Sequence, residues 1–486
     1  MYIGIDLGTS GVKIVLTQRN GQVLATTSAP LSVSRPAPLW SEQAPQDWVD
    51  ALHMSMGELA SDHDLRRVEA IGLSGQMHGA VLLDSDEQVI RPAILWNDGR
   101  SERECKLLEQ AVPNSRDITG NLMMPGFTAP KLLWVKNNEP ENFAKVAKVL
   151  LPKDYLRYVL SGDYASDMSD SAGTMWLDVG KRKWSKEILA ACALNEEHMP
   201  ALFEGSDITG HLSSELAQKW GMNAVPIVAG GGDNAAGAVG VGLTQPGQAM
   251  LSLGTSGVYF VVSDTYTSNP ESAVHSFCHA LPNTWHLMSV LLSAASCVSW
   301  FADSVLKQPL PELFAEIGKD ISVNEDSPYF LPYLSGERTP HNNPHAKGNF
   351  FGLTHESDKQ AMFNAVLEGV SLAFADGVEA LHASGTRAEE IMLIGGGAKN
   401  EAWRQLLADV INIPITFCEA GEVGPGLGAA RLAQLAVDKQ SSLAEICQQP
   451  QTIAVYQPNA ERHAMFSKRR VRFKQIYQQL APLFTR

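Results

Sequence analysis

Leu7-Gly8-Thr9-Ser10-Gly11-Val12 stands near the start of the chain and returns as Leu253-Gly254-Thr255-Ser256-Gly257-Val258, 246 positions later. Each copy lies between β-rich runs, residues 2–7 and 12–17 in the first and 249–253 and 258–263 in the second. Two such runs joined by a short Gly-Thr-Ser-Gly connection predict a hairpin, because glycine supplies the turn conformations that other residues resist. A repeat at half the chain length is too long for a solenoid period and predicts two similar domains. Chance identity between two Gly/Ser loops is the competing reading, and the strand-like flanks weigh against it.

Outward from the two hairpins, strand and helix signals alternate. Residues 68–73 and 80–83 read as strands around Gly75-Gln76-Met77-His78-Gly79, and residues 224–228 as a buried strand running into Gly230-Gly231-Gly232-Asp233. Residues 361–383 carry apolar side chains at helical spacing (Met362, Val366, Val370, Phe374, Val378, Leu381). Residues 390–394 predict a strand ending in Gly395-Gly396-Gly397, and 403–411 a helix. The class is α/β with mixed sheets. Thr-Gln-Pro-Gly within residues 243–247 interrupts the pattern and marks a boundary. One domain is expected over 1–244 and a second over 245–486, with the C-terminal helix free to pack back.

At 486 residues, 44% hydrophobic and 19% charged, the chain has material for large cores that need no covalent staples. Its six cysteines are scattered with no C-x-x-C pair, which argues against structural zinc or a disulfide framework and fits a reducing cytosol. No basic leader precedes Tyr2, and no run reaches the roughly 18 apolar residues of a membrane span. A cytoplasmic protein is expected. The formal charge of −15 argues against nucleic acid and anionic membrane as partners. It leaves ATP open, because a local nest of backbone amides holds phosphates even on an acidic protein.

Phosphoryl transfer needs amides and hydroxyls around the phosphates, a metal to neutralise charge, and a base for the attacking hydroxyl. In the first hairpin Gly8 and Gly11 permit close backbone approach, Thr9 and Ser10 carry hydroxyls, and Lys13 adds a cation. A carboxylate beside a phosphate nest is unfavourable unless a cation lies between, so Asp6 implies magnesium, directly or through water. An unliganded turn aspartate reads equally well on local sequence. The second hairpin has Ser252 where the first has Asp6 and Tyr259 where the first has Lys13, so it is expected to supply amides around Gly254 and the Thr255 hydroxyl. Asp233, after a strand and three glycines, is the candidate base, since an ordinary aspartate is ionised at neutral pH. A helix-capping aspartate is the alternative there. The glycines 395–397 let backbone pass close to a flat ligand such as adenine, with Gly396 and Gly397 on the nucleotide and Asn400 placed to bond it. A dinucleotide site would need G-x-G-x-x-G with a following ribose-binding acid, which neither glycine cluster has. His275 and His279, with Cys278, alternate like a strand and make a poor metal site. His341 and His345 lie in a Pro/Asn loop and are expected to face solvent or the substrate.

At these residues the chain resembles the FGGY carbohydrate kinases over nearly its whole length. Asp6-Leu7-Gly8-Thr9-Ser10 resembles the family's first phosphate hairpin. Gly126-Phe127-Thr128-Ala129-Pro130-Lys131-Leu132-Leu133-Trp134 resembles one signature, and Gly348-Asn349-Phe350-Phe351-Gly352-Leu353 through Glu368 the other. The second departs at Ala361, where the family usually has a polar residue. The resemblance implies two actin-like, ribonuclease-H-like domains closing on ATP and magnesium. It also implies Asp233 as base with Asn234 beside the substrate, Asp6 (and Asp233) near the metal, and the 395–397 glycines on adenosine. Gln76-Met77-His78 resembles the sugar-binding stretch of members that phosphorylate D-xylulose, and Trp96-Asn97-Asp98-Gly99-Arg100 the sugar-side loop, where structural roles compete. The stretch 76–78 offers no fixed cation for a sugar acid. The partners expected are a sugar and ATP, with room for a homodimer. Ribulose, fuculose, gluconate or glycerol as acceptor, an actin-like ATP switch, and an NAD-dependent oxidoreductase are the competing readings.

Overall fold

The structure, a computed structural model, describes residues 1–317, 321–418 and 424–484. Two seven-stranded sheets organise it. In the first, Tyr2–Leu7 pairs antiparallel with Gly11–Thr17 and parallel with Ala70–Gly75. Val23–Pro30 extends the hairpin side, and Pro226–Val228 and Ile208–His211 the other. The second sheet repeats that plan: Ala249–Leu253 pairs antiparallel with Gly257–Ser263 and parallel with Ile391–Ile394. Ile415–Cys418 and the antiparallel edge strand Thr452–Tyr456 follow. The sequence echo therefore marks a duplicated sheet. The bounds expected for Tyr2–Leu7 and Ala249–Leu253 are those observed.

The two halves are joined by a helix that returns from the second half of the sequence. Gly424–Val437 lies against the first sheet with almost no space between. A Cβ on Gly4 would stand 1.9 Å from the Gly426 carbonyl oxygen, and one on Gly72 the same distance from that of Ala429. A Cβ on Gly428 would stand 1.7 Å from the Ala236 oxygen, so helix Asp233–Gly240 is equally close. Glycine is the residue these approaches allow. Arg431 fastens the helix pair by donating to the Val239 and Gly240 oxygens at 2.9 and 3.0 Å, and Arg19 reaches Asp438 at 2.6 Å. The long C-terminal helix, Ala460–Leu480, stays with the second half: its Arg469 forms a buried pair with Glu368 at 2.5 and 2.7 Å. The segment that packs back is thus the Gly/Ala-rich helix before it, because small residues permit a backbone contact that long charged side chains forbid.

Lys359–His382 is the one described helix long and apolar enough to cross a membrane, and 89% of its most apolar window is buried in the second core. All six cysteines are free and buried.

Candidate active site in the cleft between the sheets

Leu7 and Gly232 both pair with Gly75, so Tyr2–Leu7, Ala70–Gly75 and the two-residue strand Gly231–Gly232 end side by side. Asp6, Gln76 and Asp233 accordingly stand at the carboxyl ends of parallel strands, where α/β sheets bind ligands. Asp233 opens helix Asp233–Gly240. Its Oδ1 accepts from the Asn234 backbone N–H at 2.7 Å and from Asn234 Nδ2 at 2.9 Å. Burial pushes its carboxyl up to about 6, against the downward pull of those two bonds. The Asp6 carboxyl is pushed up to about 7, by burial first and then by the Asp233 charge, with Lys13 opposing. Lys13 is the ladder partner of Asp6 across the hairpin.

Asp6 Oδ1 is buried without a hydrogen-bond partner. An orphaned oxygen within reach of a second carboxylate's charge is costly as it stands, and such oxygens suit a hard divalent cation when phosphate and water complete its shell. Among the described residues no group of three or more His, Cys, Asp or Glu is arranged to hold a metal alone. The fit is to an ion shared with a phosphate ligand.

Met77 and His78 follow Gln76, and Met77 packs against the turn that carries Asp233. A Cβ on Gly232 would meet the Met77 Sδ at 3.0 Å, so the thioether packs directly beneath the base-bearing turn. His78 takes a left-handed backbone, φ 69°, a conformation that costs an ordinary residue about 1 kcal/mol or more. Its Nδ1 lies 2.7 Å from the Gly173 oxygen, and its pKa is pushed down to about 3 by burial, then by the Lys131 charge, with the Gly173 bond opposing. A neutral imidazole facing a carbonyl must donate from Nδ1, which leaves the Nε2 lone pair as acceptor for a ligand hydroxyl. Gln76 is more committed: its Oε1 accepts from Thr9 Oγ1 at 3.0 Å and its Nε2 donates to Gln43 at 3.0 Å. Thr9 Oγ1 also accepts from Trp96 Nε1 at 2.9 Å. The structure therefore joins Thr9, expected on the phosphate side, to Gln76, expected on the sugar side. Ser10 is exposed.

Facing these groups, Gly254, Thr255, Gly396, Gly397 and Asn400 line a cavity of about 740 Å³ with apolar walls from Val298, Leu310 and Phe314. It is large enough for a nucleoside. Gly395 has φ 97°, and a Cβ on Gly397 would meet Leu253 Cγ at 2.6 Å, so these glycines let the chain fold over the end of Ala249–Leu253. Asn400 caps helix Glu401–Ile411, its Oδ1 accepting from the Trp403 N–H at 2.8 Å, which leaves its NH₂ for a ligand. A second cavity of about 730 Å³ runs from Asp233 and Asn234 past Ser252 to Gly395, and Lys399 borders both.

Comparison with known proteins accounts for this arrangement. The model of the FGGY family of carbohydrate kinases, N-terminal domain, matches residues 1–240, and that of its C-terminal domain matches 249–437. The chain belongs to the FGGY family of carbohydrate kinases. The kinase is 58% identical over 483 residues to the xylulose kinase of Escherichia coli K12, covering 99% of this chain and 100% of that one. It superposes with TM-score 0.95 on a xyloylose kinase from Brucella ovis, 47% identical and 99% covered on both sides. It also superposes with TM-score 0.93 on a gluconate kinase from Lactobacillus acidophilus, 27% identical, covering 99% of this chain and 98% of that one. The fold is therefore the two-domain, actin-like one expected. The oxidoreductase and ATP-switch readings fall away.

Several roles in the kinase were not legible beforehand. The first family signature supports His78: Phe127 meets its ring edge-on at 4.8 Å, and Thr128 Oγ1 and Lys131 Nζ donate to its carbonyl at 3.2 and 2.7 Å. Arg338 donates to His275 Nε2 at 3.2 Å, and His275 shares Phe127 with His78. The stretch 76–78 carries no cation of its own, but one stands nearby. A guanidinium from the second half sits one histidine away, and among the described residues it makes no ion pair. His275 is held by Asn121 and Arg338 and is no metal ligand. His341 does not face solvent: its ring stacks on Tyr477 at 3.6 Å and bonds Tyr333, anchoring its loop to the C-terminal helix. Arg100 has a structural role, paired with Asp98 and Glu42 and stacked over Trp40 at 3.7 Å, whereas Trp96 remains 44% exposed.

Proposed function

We propose that this kinase transfers the γ-phosphoryl group of ATP to the terminal hydroxyl of D-xylulose, giving D-xylulose 5-phosphate, in the cytoplasm. The observation that carries the reading is a half-buried carboxylate, Asp233, whose charge is felt by a second carboxylate on a phosphate-type hairpin and whose turn packs on Met77, next to a neutral histidine. In the reaction Asp233 takes the hydroxyl proton as the oxygen attacks phosphorus; the new O–P bond forms while the bond to the ADP oxygen breaks. Asn234 holds the Asp233 carboxylate in place and lies beside the substrate. Met77 packs on the carbon chain and His78 Nε2 accepts from a sugar hydroxyl. Gly254, Thr255, Ser10, Thr9 and Lys13 attend the phosphates, and Gly396, Gly397 and Asn400 the adenosine. Asp6 and Asp233 are the residues that would hold magnesium, which supplies charge neutralisation at the phosphates. We take residues 1–244 and 245–486 as the two domains, bridged by Gly424–Val437.

D-Xylulose is favoured over other acceptors by the 58% identity to a xylulose kinase across the full chain. Gluconate is the second reading, because Arg338 supplies a cation near the sugar side and the fold is shared with a gluconate kinase. Turnover on D-xylulose, D-ribulose, L-fuculose, gluconate and glycerol, with the phosphate position determined, decides between them. D-Xylulose should be best, and His78→Ala should lower its kcat/KM by about 5- to 150-fold, the cost of roughly 1–3 kcal/mol for an unpaired buried polar group. Gluconate as the best substrate, or an unaffected His78→Ala, would sink the D-xylulose assignment.

A further inference from the structure

The reaction as drawn makes no use of one fully buried cation in the first half. Lys153 is fully buried, with Nζ 2.6 Å from Asp154 Oδ1, 2.8 Å from Asp167 Oδ1 and 3.7 Å from Asp170 Oδ2. All three carboxyl groups are buried as well. Such a cluster is a poor source of stability, since apolar residues of similar volume would serve at least as well. Its contacts suggest another purpose. Lys153 Nζ also donates to the Ala229 oxygen at 3.3 Å, at the entry to the glycines 230–232. Asp167 accepts the Ser169 hydroxyl at its Oδ2, which also accepts the Ser169 and Asp170 backbone N–H groups at 2.7 and 3.2 Å. Ser169 Oγ in turn accepts from the Gly232 N–H at 3.1 Å. The ammonium thus holds the glycine turn at both ends, directly at Ala229 and through Asp167 and Ser169 at Gly232.

Three glycines have no side chains with which to fix their own conformation, and Gly230 is left-handed at φ 83°. Asp233 follows immediately, so any freedom in the turn becomes freedom in the carboxylate. Gly230 and Gly232 cannot easily be replaced: a Cβ on the first would stand 2.0 Å from the Leu73 oxygen, and one on the second 2.9 Å from Met77 Cγ. The ladder of Gly231 and Gly232 to Ser74 and Gly75 is one hold on this turn, and the Ser169 hydroxyl on the Gly232 N–H is another.

We propose that Ser169, held by Asp167 and Lys153, is a positioning residue for Asp233, clamping the 230–232 turn so that the carboxylate meets the substrate hydroxyl in one geometry. The proposal rests on Asp233 being the base. The geometry of the cluster agrees with it: Lys153 lies 2.8 Å from Asp167, the residue that holds Ser169, and 3.7 Å from Asp170, whose carboxyl burial pushes well above the ordinary range.

Lys153→Met strands buried carboxyl groups and is expected to fold poorly, so Ser169→Ala, which removes a single hydroxyl, is the deciding variant. It should lower kcat by about 10- to 100-fold, the scale of a misplaced reacting group. KM for sugar and for ATP should stay within about twofold, because neither substrate touches Ser169. Asp233→Asn is measured alongside. A wild-type kcat in Ser169→Ala while Asp233→Asn is inactive overturns the clamp alone. A loss shared between kcat and both KM values, with a lowered melting temperature, makes Ser169 merely structural and also overturns it. Normal turnover by Asp233→Asn overturns the base assignment and the clamp together.

Discussion

The two Leu-Gly-Thr-Ser-Gly-Val segments are identical in sequence and close differently. The first pairs Leu7 with Val12, and Gly8 N–H donates to the Gly11 oxygen at 2.9 Å, so Asp6 faces Lys13 across the ladder. The second pairs Leu253 with Gly257, one residue tighter, and Ser252 faces Val258. Tyr259, which stands in sequence where the first copy has Lys13, pairs with Leu251 instead and is buried, its hydroxyl 2.8 Å from His382 Nε2. A one-residue change of register exchanges the faces of a strand, so sequence equivalence between the copies ends at the turn. The surroundings differ too. The Thr9 carbonyl accepts from Gln43 Nε2, whereas the Gly254 and Thr255 carbonyls accept from Ala295 and Ala294 N–H at the start of helix Ala295–Trp300. Duplication supplied two equal turns, and their neighbours gave one of them charge and the other an apolar cavity.

If the chemistry belongs to the first half, the largest effect should come from the carboxylate next to its hairpin. Asp233→Asn should lower kcat by roughly 10²- to 10⁴-fold while sugar binding stays measurable by calorimetry. The pH profile of kcat/KM in the unmodified enzyme should show an acid limb near 6 rather than near 4, because burial raises this carboxyl and the base form is lost as pH falls through its folded value. Near-normal turnover by Asp233→Asn would remove the functional asymmetry between the halves.

Much of this comparison was legible in the sequence, and the parts that were not share a cause. Strands such as Tyr2–Leu7 and Ala249–Leu253 are local runs of apolar residues ending at glycine, so their bounds could be read directly. Asp233 could be read because a strand, three glycines and a carboxylate are contiguous. The second hairpin's turn bonds to the start of helix Ala295–Trp300, some forty residues on, a contact that no local pattern announces. The Lys153 cluster joins the glycine turn to two distant segments, 153–154 and 167–170, neither of which carries a motif. Arg338 reaches His275 from a loop whose sequence speaks only of turns. Gly424–Val437 looks like any small-residue helix until the glycines of the first sheet are seen to need it.

A smaller effect should separate the hairpins from each other. Asp6→Asn should lower turnover about 10- to 100-fold at ordinary magnesium and recover part of it at high magnesium, since it removes one donor near the phosphates rather than the base. Ser252→Ala, at the corresponding place in the second hairpin, should change kcat by less than about threefold. Steady-state rates of both variants across a magnesium titration test the contrast. Equal losses in the two would mean that the hairpins share the charge handling and that the register difference has no functional consequence.

The smallest effect is on stability, and its sign follows from the raised Asp6 pKa. Burial and the nearby Asp233 charge bring that carboxyl up to about 7 in the folded chain, above its value of 3.8 when unperturbed. A group shifted this way favours the folded state below its unfolded value, and that contribution is lost as pH rises through about 7. At pH 8 the folded protein therefore carries two buried, mutually repelling carboxylates, Asp6 and Asp233, and at pH 5.5 it carries fewer charges. A divalent cation binds the ionised pair and must compete with protons at the lower pH. Magnesium without nucleotide should raise the melting temperature by about 1–3 °C at pH 8 and by distinctly less at pH 5.5. Asp6→Asn should melt slightly higher than the parent at pH 8 in the absence of metal, because it removes one of the two charges, and should lose most of the magnesium response. Differential scanning fluorimetry at the two pH values, with calcium as a second hard cation, measures all three. A magnesium shift of the same size at both pH values, or one that survives in Asp6→Asn, would place the cation elsewhere and leave the first hairpin with amides and hydroxyls alone, much like the second.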